Sequence, residues 1–276
     1  MLLGVDVGGT FTDAVMLDER ARIHTAKVPS TPADQSRAVL AAVRELLTAA
    51  NRDAREVEHF AHGMTVATNA LLEGRTARTA LLATAGFTDV LELGRQSRPE
   101  LYRLCAAAPA PLVASALRYG VPERTGPDGV LLELDAEAAL RLVRELAREA
   151  PQAVAVCLLH SYVEDSHERL LGELLARELP HAHVSLSSEL VGTFREFERT
   201  ATTVLDAALS PLLAEYLGNL CELSRAQRLC EPQIMQSSGG LTAASRAAAH
   251  AALTVLSGPA GGVGGALALA RLAEEP

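Results

Sequence analysis

The sequence predicts an α/β fold, in which a meander of three strands is followed by alternating strands and helices. Two observations predict this class. Short apolar runs with tight connections fill the chain up to Val28. Helical periodicity then alternates with short apolar runs over the rest. The chain has 276 residues, 49% of them hydrophobic, which is ample for a buried core.

The predicted meander uses strands over 2–7, 12–17 and 23–28, with Gly8-Gly9-Thr10 in the first connection. A helix over 32–50 with an apolar stripe and a strand over 57–61 follow it. The later elements alternate in type: strands over 79–83, 153–159, 183–186 and 234–237, and helices over 136–150, 167–178 and 197–220.

Two segments interrupt this pattern. Residues 99–129 are rich in Pro, Ala and Gly, and they are expected to form a long irregular insertion or the edge of a lobe. Ser210-Pro211 lies within the last long helix, where proline either kinks a helix or begins a new one.

Composition excludes several classes of function. The formal charge is −9 and no Lys/Arg cluster forms a stripe, so nucleic acid is not an expected partner. No apolar stretch approaches the length of a membrane span, and no signal peptide is evident, so we expect a cytoplasmic protein without a membrane partner. Lys27 is the sole lysine and has no Gly-rich loop before it, which excludes a P-loop lysine.

The strongest local motif runs from Gly4 to Asp13. Gly8 and Gly9 follow a buried strand, so the backbone can turn sharply there and expose successive N–H groups to an anion. Hydroxyls of Thr10 and Thr12 could add donors. Asp6 would repel a bare phosphate, and a bound Mg²⁺ removes that conflict, which favours a magnesium nucleotide. A plain hairpin turn remains the alternative.

A second motif, His62 to Asn69, follows a strand. The expected arrangement has Thr65 capping a helix while His62 and Asn69 face a ligand. A capping threonine beside a hydrogen-bonded histidine is the alternative.

Three further features have simpler explanations. The small residues from Ser257 to Gly265, which include Gly258, Gly261 and Gly262, permit close approach of either a helix or a ligand, and helix packing is favoured. The charged run 195–199 is typical of a solvated helix face. His160 is expected to be a hydrogen-bonded histidine at the edge of the core.

Taken together, the motifs resemble the hydantoinase/oxoprolinase family. The chain is similar to the A-type subunit of N-methylhydantoinases, to the corresponding part of 5-oxoprolinase and to the related acetone-carboxylase subunit. The resemblance covers nearly the whole chain. It rests on nine ordered segments: 4–13, 62–73, 86–89, 94–96, 159–162, 167–169, 195–203, 236–240 and 257–265.

The resemblance implies the first lobe of an actin-like ATPase, built on a ribonuclease-H-like core, with ATP and Mg²⁺ as cofactors. It places Gly8, Gly9, Thr10 and Thr12 in the first phosphate loop, with Asp6 near magnesium. It makes 257–265 the helix that crosses between two lobes beside the nucleotide. It also divides the chain into an N-terminal region over 1–190 and the start of a second region over 191–276.

The implied reaction is ATP-dependent opening of a cyclic amide such as hydantoin or 5-oxoproline. Phosphorylation of the carbonyl oxygen would trap the imidate form, which water could then attack. Asp6, His62, Thr65 and Asn69 are the candidate catalytic residues. A related reaction on a ketone is also compatible with the family.

The family has a second Gly-Gly-Thr loop after the crossing helix, and this sequence ends at Pro276 before such a loop. We therefore expect weak or no ATP binding and no turnover by this chain alone. A hydantoinase B-type subunit or a polypeptide that supplies the second lobe is the expected partner. The alternatives are a non-catalytic interaction module that uses the apolar segment 261–272, or a sugar-kinase-like or activator ATPase.

Overall fold

The structure is a computed structural model, and it describes residues 1–31, 34–97, 102–103 and 110–273. The strands in these ranges are β1 (Leu2–Val7), β2 (Phe11–Leu17), β3 (Ile23–Pro29), β4 (His59–Met64), β5 (Thr79–Thr84), β6 (Arg118–Val121), β7 (Arg124–Gly126), β8 (Gly129–Leu132), β9 (Ala153–Cys157), β10 (His183–Leu186), β11 (Gln233–Met235) and β12 (Leu241–Ala243).

The α-helices in the same ranges are α1 (Gln35–Ala50), α2 (Val66–Leu72), α3 (Val90–Leu93), α4 (Ala136–Ala147), α5 (Ser166–Glu178), α6 (Ser187–Leu190), α7 (Glu196–Ala226), α8 (Ala244–Ala249) and α9 (Ser257–Leu272). The chain divides into two compact units. Unit 1 comprises Met1–Thr76 and Leu212–Pro276, and unit 2 comprises Ala77–Pro211.

Unit 1 is built on a six-stranded sheet in the order β12-β11-β4-β1-β2-β3. The pairs β1–β2 and β2–β3 are antiparallel, which confirms the predicted meander, and β4 joins β1 in parallel. One face of the meander is buried, because alternate residues such as Val5, Ala14 and Met16 point into the core. The other face of β1 to β3 is largely exposed.

Unit 2 contains a four-stranded parallel sheet in the order β10-β9-β5-β6. All residues of β5 and β9 are buried, as the continuous apolar run in β9 predicts for a strand covered on both sides. Helices α4 and α5 pack against each other and against this sheet. The predicted alternation of strands and helices is confirmed here.

The irregular insertion predicted over 99–129 is wrong for the part that the structure describes. Strand β6 belongs to the main sheet of unit 2, and β7 pairs with β8 in a hairpin. The Pro and Gly residues of this segment separate short strands, and Gly129 adopts a φ of 127° at the hairpin turn. Residues 98–101 and 104–109 lie outside the described ranges.

The charged run 195–199 is not a uniformly solvated helix face, since the Arg199 side chain is 1% exposed. One terminal nitrogen of Arg199 donates to the hydroxyls of Ser161 and Ser187. The other donates to the carbonyl oxygen of Leu158 at 2.7 Å and to Glu196 at 2.6 Å. Arg199 therefore joins the first turn of α7 to the chain that leaves β9 and to α6.

A buried carboxylate completes this network. Glu168 is fully buried on α5, and its oxygens accept hydrogen bonds from the Leu158 N–H at 2.9 Å, the Ser187 hydroxyl at 2.7 Å and the Ser188 N–H at 2.8 Å. A buried charge is tolerated only when hydrogen bonds and an opposite charge replace its solvation. The network thereby fixes the carboxyl ends of β9 and β10.

Helix α7 continues through Pro211 as one helix of 31 residues. The boundary between the two units falls between Pro211 and Leu212. The alternative in which Pro211 begins a separate helix is therefore wrong.

The apolar segment near the end of the chain also corrects an expectation. The segment Ala251–Arg271 has a mean hydropathy of 1.4 over its most apolar window. By length and composition alone, this segment could cross a membrane. Only 11% of that window is buried within the structure. One such segment is weak evidence for a membrane span. Its exposed apolar side chains are also typical of a surface that binds another protein.

Replacing Arg199 by methionine should destabilise unit 2 strongly. The substitution keeps much of the side-chain volume, but it leaves Glu168 without its nearby buried positive charge. We expect a loss of about 3 kcal/mol or more in the free energy of unfolding, measured by urea denaturation. Arg177→Met on the exposed face of α5 should change it by less than about 0.5 kcal/mol. Equal losses in the two variants would contradict this role of Arg199.

Candidate functional site

The turn between β1 and β2 is held by hydrogen bonds at Gly8. Its N–H donates to the Phe11 carbonyl oxygen at 3.0 Å, and its carbonyl oxygen accepts from the Ser30 hydroxyl at 2.8 Å. A Cβ atom on Gly8 would lie 3.1 Å from the Phe11 carbonyl oxygen. The φ of Gly8 is not positive, so the backbone conformation does not itself require glycine. The close approach of the Phe11 carbonyl oxygen is what favours glycine at position 8.

The two hydroxyls predicted to bind phosphate lie in different surroundings. Thr10 is exposed in the turn. Thr12 is fully buried, and its hydroxyl lies 3.0 Å from the Ser30 hydroxyl. Thr12 therefore contacts Ser30, which in turn binds the Gly8 carbonyl oxygen on the buried side of the turn. Thr10 is accessible to a ligand.

A row of charged residues crosses the open face of the unit 1 sheet. Asp6 on β1 is paired with Asp13 on β2, and Asp13 with Lys27 on β3. Lys27 Nζ donates to both carboxylate oxygens of Asp13, at 2.8 and 3.0 Å. Burial, and then the charge of Asp13, raise the pKa of Asp6 above its ordinary value. On the opposite side, Asp6 is paired with Gly63 of β4.

A groove of about 390 Å³ runs between this face and the first turns of α9. Asp6, Gly258, Gly261 and Gly262 line it, so the structure brings these predicted residues together. A Cβ atom on Gly258 or Gly262 would have no other atom within 4 Å, and on Gly261 it would approach only Met235, at 3.6 Å. Nothing in the described chain therefore requires glycine at these positions.

The His62 ring lies on the other face of the sheet, although His62 is also among the residues that line the groove. It is paired with Val5, and its ring is fully buried. Its Nδ1–H donates to the Val5 carbonyl oxygen at 3.2 Å, and Nε2 accepts from the Tyr216 hydroxyl at 2.7 Å. Burial lowers the pKa of His62 to about 4, so the ring is neutral at neutral pH. The expectation that this ring faces a ligand together with Asn69 is not met.

Thr65 and Asn69 lie beside the turn instead of in the groove. The Thr65 hydroxyl donates to the Val7 carbonyl oxygen at 3.0 Å and accepts from Asn69 Nδ2 at 3.1 Å. Thr65 precedes α2, but its side chain makes no capping hydrogen bond, contrary to expectation. A Cβ atom on Gly9 would lie 3.8 Å from Asn69 Nδ2, which places Asn69 next to the turn.

Sequence reasoning missed several residues of this region. Ser257 is fully buried, and its hydroxyl donates to the Met64 carbonyl oxygen at 3.3 Å, which ties the start of α9 to the end of β4. Asp13, Lys27 and Gly63 share the exposed face with Asp6. The alternation of side chains along a strand could have predicted that Asp13 lies on this face. Lys27 and Gly63 could be predicted as its neighbours only from the register of the strand pairs, which the sequence does not give.

Exposed glycine-turn amides and one accessible carboxylate fit a magnesium nucleotide. Mg²⁺ is usually held by one or two carboxylates together with phosphate oxygens and water, so a single aspartate suffices on the protein side. Over the described part of the chain, no group of three or more His, Cys, Asp or Glu side chains is arranged to hold a metal ion unaided.

A three-strand meander extended by parallel strands, with a glycine turn after its first strand, is an actin-like ATPase type of fold. The chain belongs to the hydantoinase/oxoprolinase family. The model of the hydantoinase/oxoprolinase N-terminal region matches residues 2–179, and the hydantoinase/oxoprolinase model matches residues 199–276. The predicted division of the chain at residue 190 stays a prediction, and the compact units follow a different division.

Similar proteins include the caprolactamase subunit alpha of Pseudomonas jessenii, 32% identical over 94% of this chain and 38% of that protein. The 5-oxoprolinase 1 of Arabidopsis thaliana is 34% identical over 95% of this chain and 23% of its own length. The crystal structure of the ATP-dependent caprolactamase from Pseudomonas jessenii superimposes with a TM-score of 0.88 and 30% identity, covering 98% of this chain and 40% of that chain.

A nucleotide-free acetone carboxylase structure has a TM-score of 0.89 at 24% identity, covering 99% of this chain and 41% of that chain, and it shows the fold alone. This chain thus spans less than half the length of each of these proteins.

The buried His62 ring should make stability depend on pH. Its ordinary pKa of 6.5 applies to the unfolded chain, which therefore binds a proton that the folded chain, with a pKa of about 4, does not. The free energy of unfolding should fall by about 3 kcal/mol as the pH decreases from 6.5 to 4. Urea unfolding at several pH values measures this slope.

His62→Gln should remove most of that slope, whatever its effect on absolute stability. His181→Gln, at an exposed position of unit 2, should leave the slope unchanged. A slope that persists in His62→Gln would contradict the assignment.

Proposed function

We propose that this chain carries the phosphate-binding lobe of an ATP-dependent enzyme that opens a cyclic amide. The observation that carries the proposal is the glycine turn at residues 8–10, with the accessible Asp6 carboxylate beside it. It is supported by the similarity to an enzyme described as an ATP-dependent caprolactamase.

In this proposal the exposed amides of Gly9 and Thr10 bind phosphate oxygens, and Asp6 holds the magnesium ion. When bound, the nucleotide supplies a phosphoryl group that makes the amide carbonyl a better electrophile. Gly8 and Thr12 maintain the shape of the turn. The glycines of α9 leave room for the nucleotide or for a partner beside the groove.

The four residues predicted to be catalytic take different parts in the proposal. Asp6 contacts the ligand through its metal. Thr65 and Asn69 stand beside Gly9, where the Asn69 side chain can reach a ligand on the turn. The neutral, buried His62 is proposed as a positioning residue that ties β4 to β1 through the Val5 carbonyl oxygen.

Replacing Asp6 by asparagine should lower lactam-dependent ATP hydrolysis on the order of 100-fold, because the neutral amide holds magnesium poorly. The assay uses the chain together with its partner polypeptides, with 5-oxoproline, hydantoin, caprolactam and a ketone as test substrates. Glu45→Gln on the exposed face of α1 is the matched control and should leave the rate unchanged.

ATP turnover with a lactam that is insensitive to Asp6→Asn would contradict the assigned site. Turnover with the ketone and none with any lactam would contradict the reaction class. Calorimetry with Mg-ATP on this chain alone checks the expectation of weak binding, and tight binding would overturn it.

We also propose that α9 docks a partner subunit. The exposed fractions of Val263, Leu267 and Leu269 on this helix are 70%, 51% and 68%. Val263 and Leu267 are four residues apart and share one side of the helix, whereas Leu269 lies on another side. Exposed apolar side chains on one helix are typical of a protein interface. Similar proteins are named as subunits, among them the caprolactamase subunit alpha and the gamma subunit of an acetophenone carboxylase.

The double substitution Leu267→Glu, Leu269→Glu should abolish co-purification with the partner polypeptide, because two charges cannot be buried in an apolar interface without compensation. Leu72→Glu, at a leucine 80% exposed on α2, is the matched control and should co-purify normally. Sedimentation velocity measures complex formation. A stable complex formed by the double variant would rule out α9 as the docking helix.

A further inference from the structure

The Asp6 side chain is not perpendicular to the sheet but leans sideways toward β4. Its carboxylate lies against β4: a Cβ atom built on Gly63 would be 2.8 Å from Asp6 Oδ1, 3.6 Å from Cγ and 3.9 Å from Cβ. All three of the nearest atoms belong to Asp6, and none belongs to α9. Packing of a helix on the sheet therefore does not explain a glycine at position 63.

The opposite neighbour of Asp6 accounts for the direction of this lean. Asp13 is paired with Asp6 across β1 and β2, and like charges directly opposite each other in a sheet repel. Lys27 binds the Asp13 carboxylate from the far side, at 2.8 and 3.0 Å, which holds Asp13 toward β3. Asp6 is thus free to lean toward β4 as long as the residue there has no side chain.

The backbone of Gly63 does not itself require glycine. Its φ is not positive, and it lies within a regular strand paired with β1. Strand interiors normally disfavour glycine, because it packs no side chain and loses more conformational entropy on folding. Close approach of another group is the usual reason for a glycine in such a place, and here that group is the Asp6 carboxylate.

We propose that Gly63 is a positioning residue for Asp6, whose missing side chain lets the carboxylate lie against β4 and so fixes the direction in which its oxygens point. The part of this inference that concerns metal rests on the proposed function, in which Asp6 holds magnesium. The part that concerns orientation does not depend on it.

The first test compares crystal structures of the wild type, Gly63→Ala and Gly4→Ala without added metal. Gly4 is the matched control, because it lies on the same face of β1 and its Cβ atom would come no closer than 4.0 Å to the nearest other atom. We expect the Asp6 carboxylate to rotate away from β4 in Gly63→Ala and to keep its orientation in Gly4→Ala. An unchanged carboxylate in Gly63→Ala, or an equal rotation in Gly4→Ala, would overturn the proposal.

Thermal unfolding provides a second, independent test. Gly63→Ala should change the melting temperature less favourably when Asp6 is present than in the Asp6→Ala background, where no carboxylate remains to clash. The same change in both backgrounds would mean that alanine at position 63 does not interfere with Asp6, and the proposal would fail.

Binding of Mn²⁺ in the presence of ATP, to the chain together with its partner polypeptides and followed by water-proton relaxation, tests the consequence for metal, because phosphate oxygens supply the other ligands. Gly63→Ala should weaken binding about tenfold or more, since groups that orient a metal ligand commonly contribute that much to affinity. Gly4→Ala should bind like the wild type. Equal affinity of the wild type and Gly63→Ala would overturn the positioning role. If the wild type binds no Mn²⁺, the metal role of Asp6 fails, and the orientation measurement still decides the role of Gly63.

Discussion

The parallel pairing of β1 with β4 is the constraint on which the candidate site depends. Its register places Asp6 opposite Gly63 and Val5 opposite His62. Because side chains alternate across a strand, Asp6 is directed to the open face and His62 to the core. A slip of one residue in β4 would bury Gly63 and turn the imidazole toward the groove, so the roles of both residues follow from this register.

The polar groups of the two units serve different purposes. In unit 1 the charged side chains of the row Asp6, Asp13 and Lys27 are accessible to ligands, and the supporting hydroxyls of Thr12 and Ser30 lie below the turn. In unit 2 the charges of Glu168 and Arg199 are buried and bind the ends of neighbouring strands. The family-like segments 159–162, 167–169 and 195–203 supply residues of this buried network, so their residue types are explained by structure without a ligand.

Local patterns in the sequence predicted much of unit 1. The bounds of β1 were predicted to the residue, and those of β2 and β3 to within one residue. Strand periodicity and short connections are local signals, and here the tertiary structure agrees with them. The segment 110–129 was misjudged because its Pro and Gly residues mark turns between strands as well as irregular chain. The burial of Arg199 was missed because only its partner Glu196 is close in sequence, whereas Leu158, Ser161 and Ser187 are brought to it by the fold.

The sequence by itself determined the α/β class, the meander, the glycine turn and the family, because each depends on neighbouring residues or on ordered motifs. Only the tertiary structure decided which of the candidate residues share a surface. Thr12 and His62 belong to the buried face, whereas Asp6 shares a groove with glycines about 250 residues away along the chain. The physical reason is that strand register and helix docking, which set these neighbours, are fixed by the burial of the whole sheet.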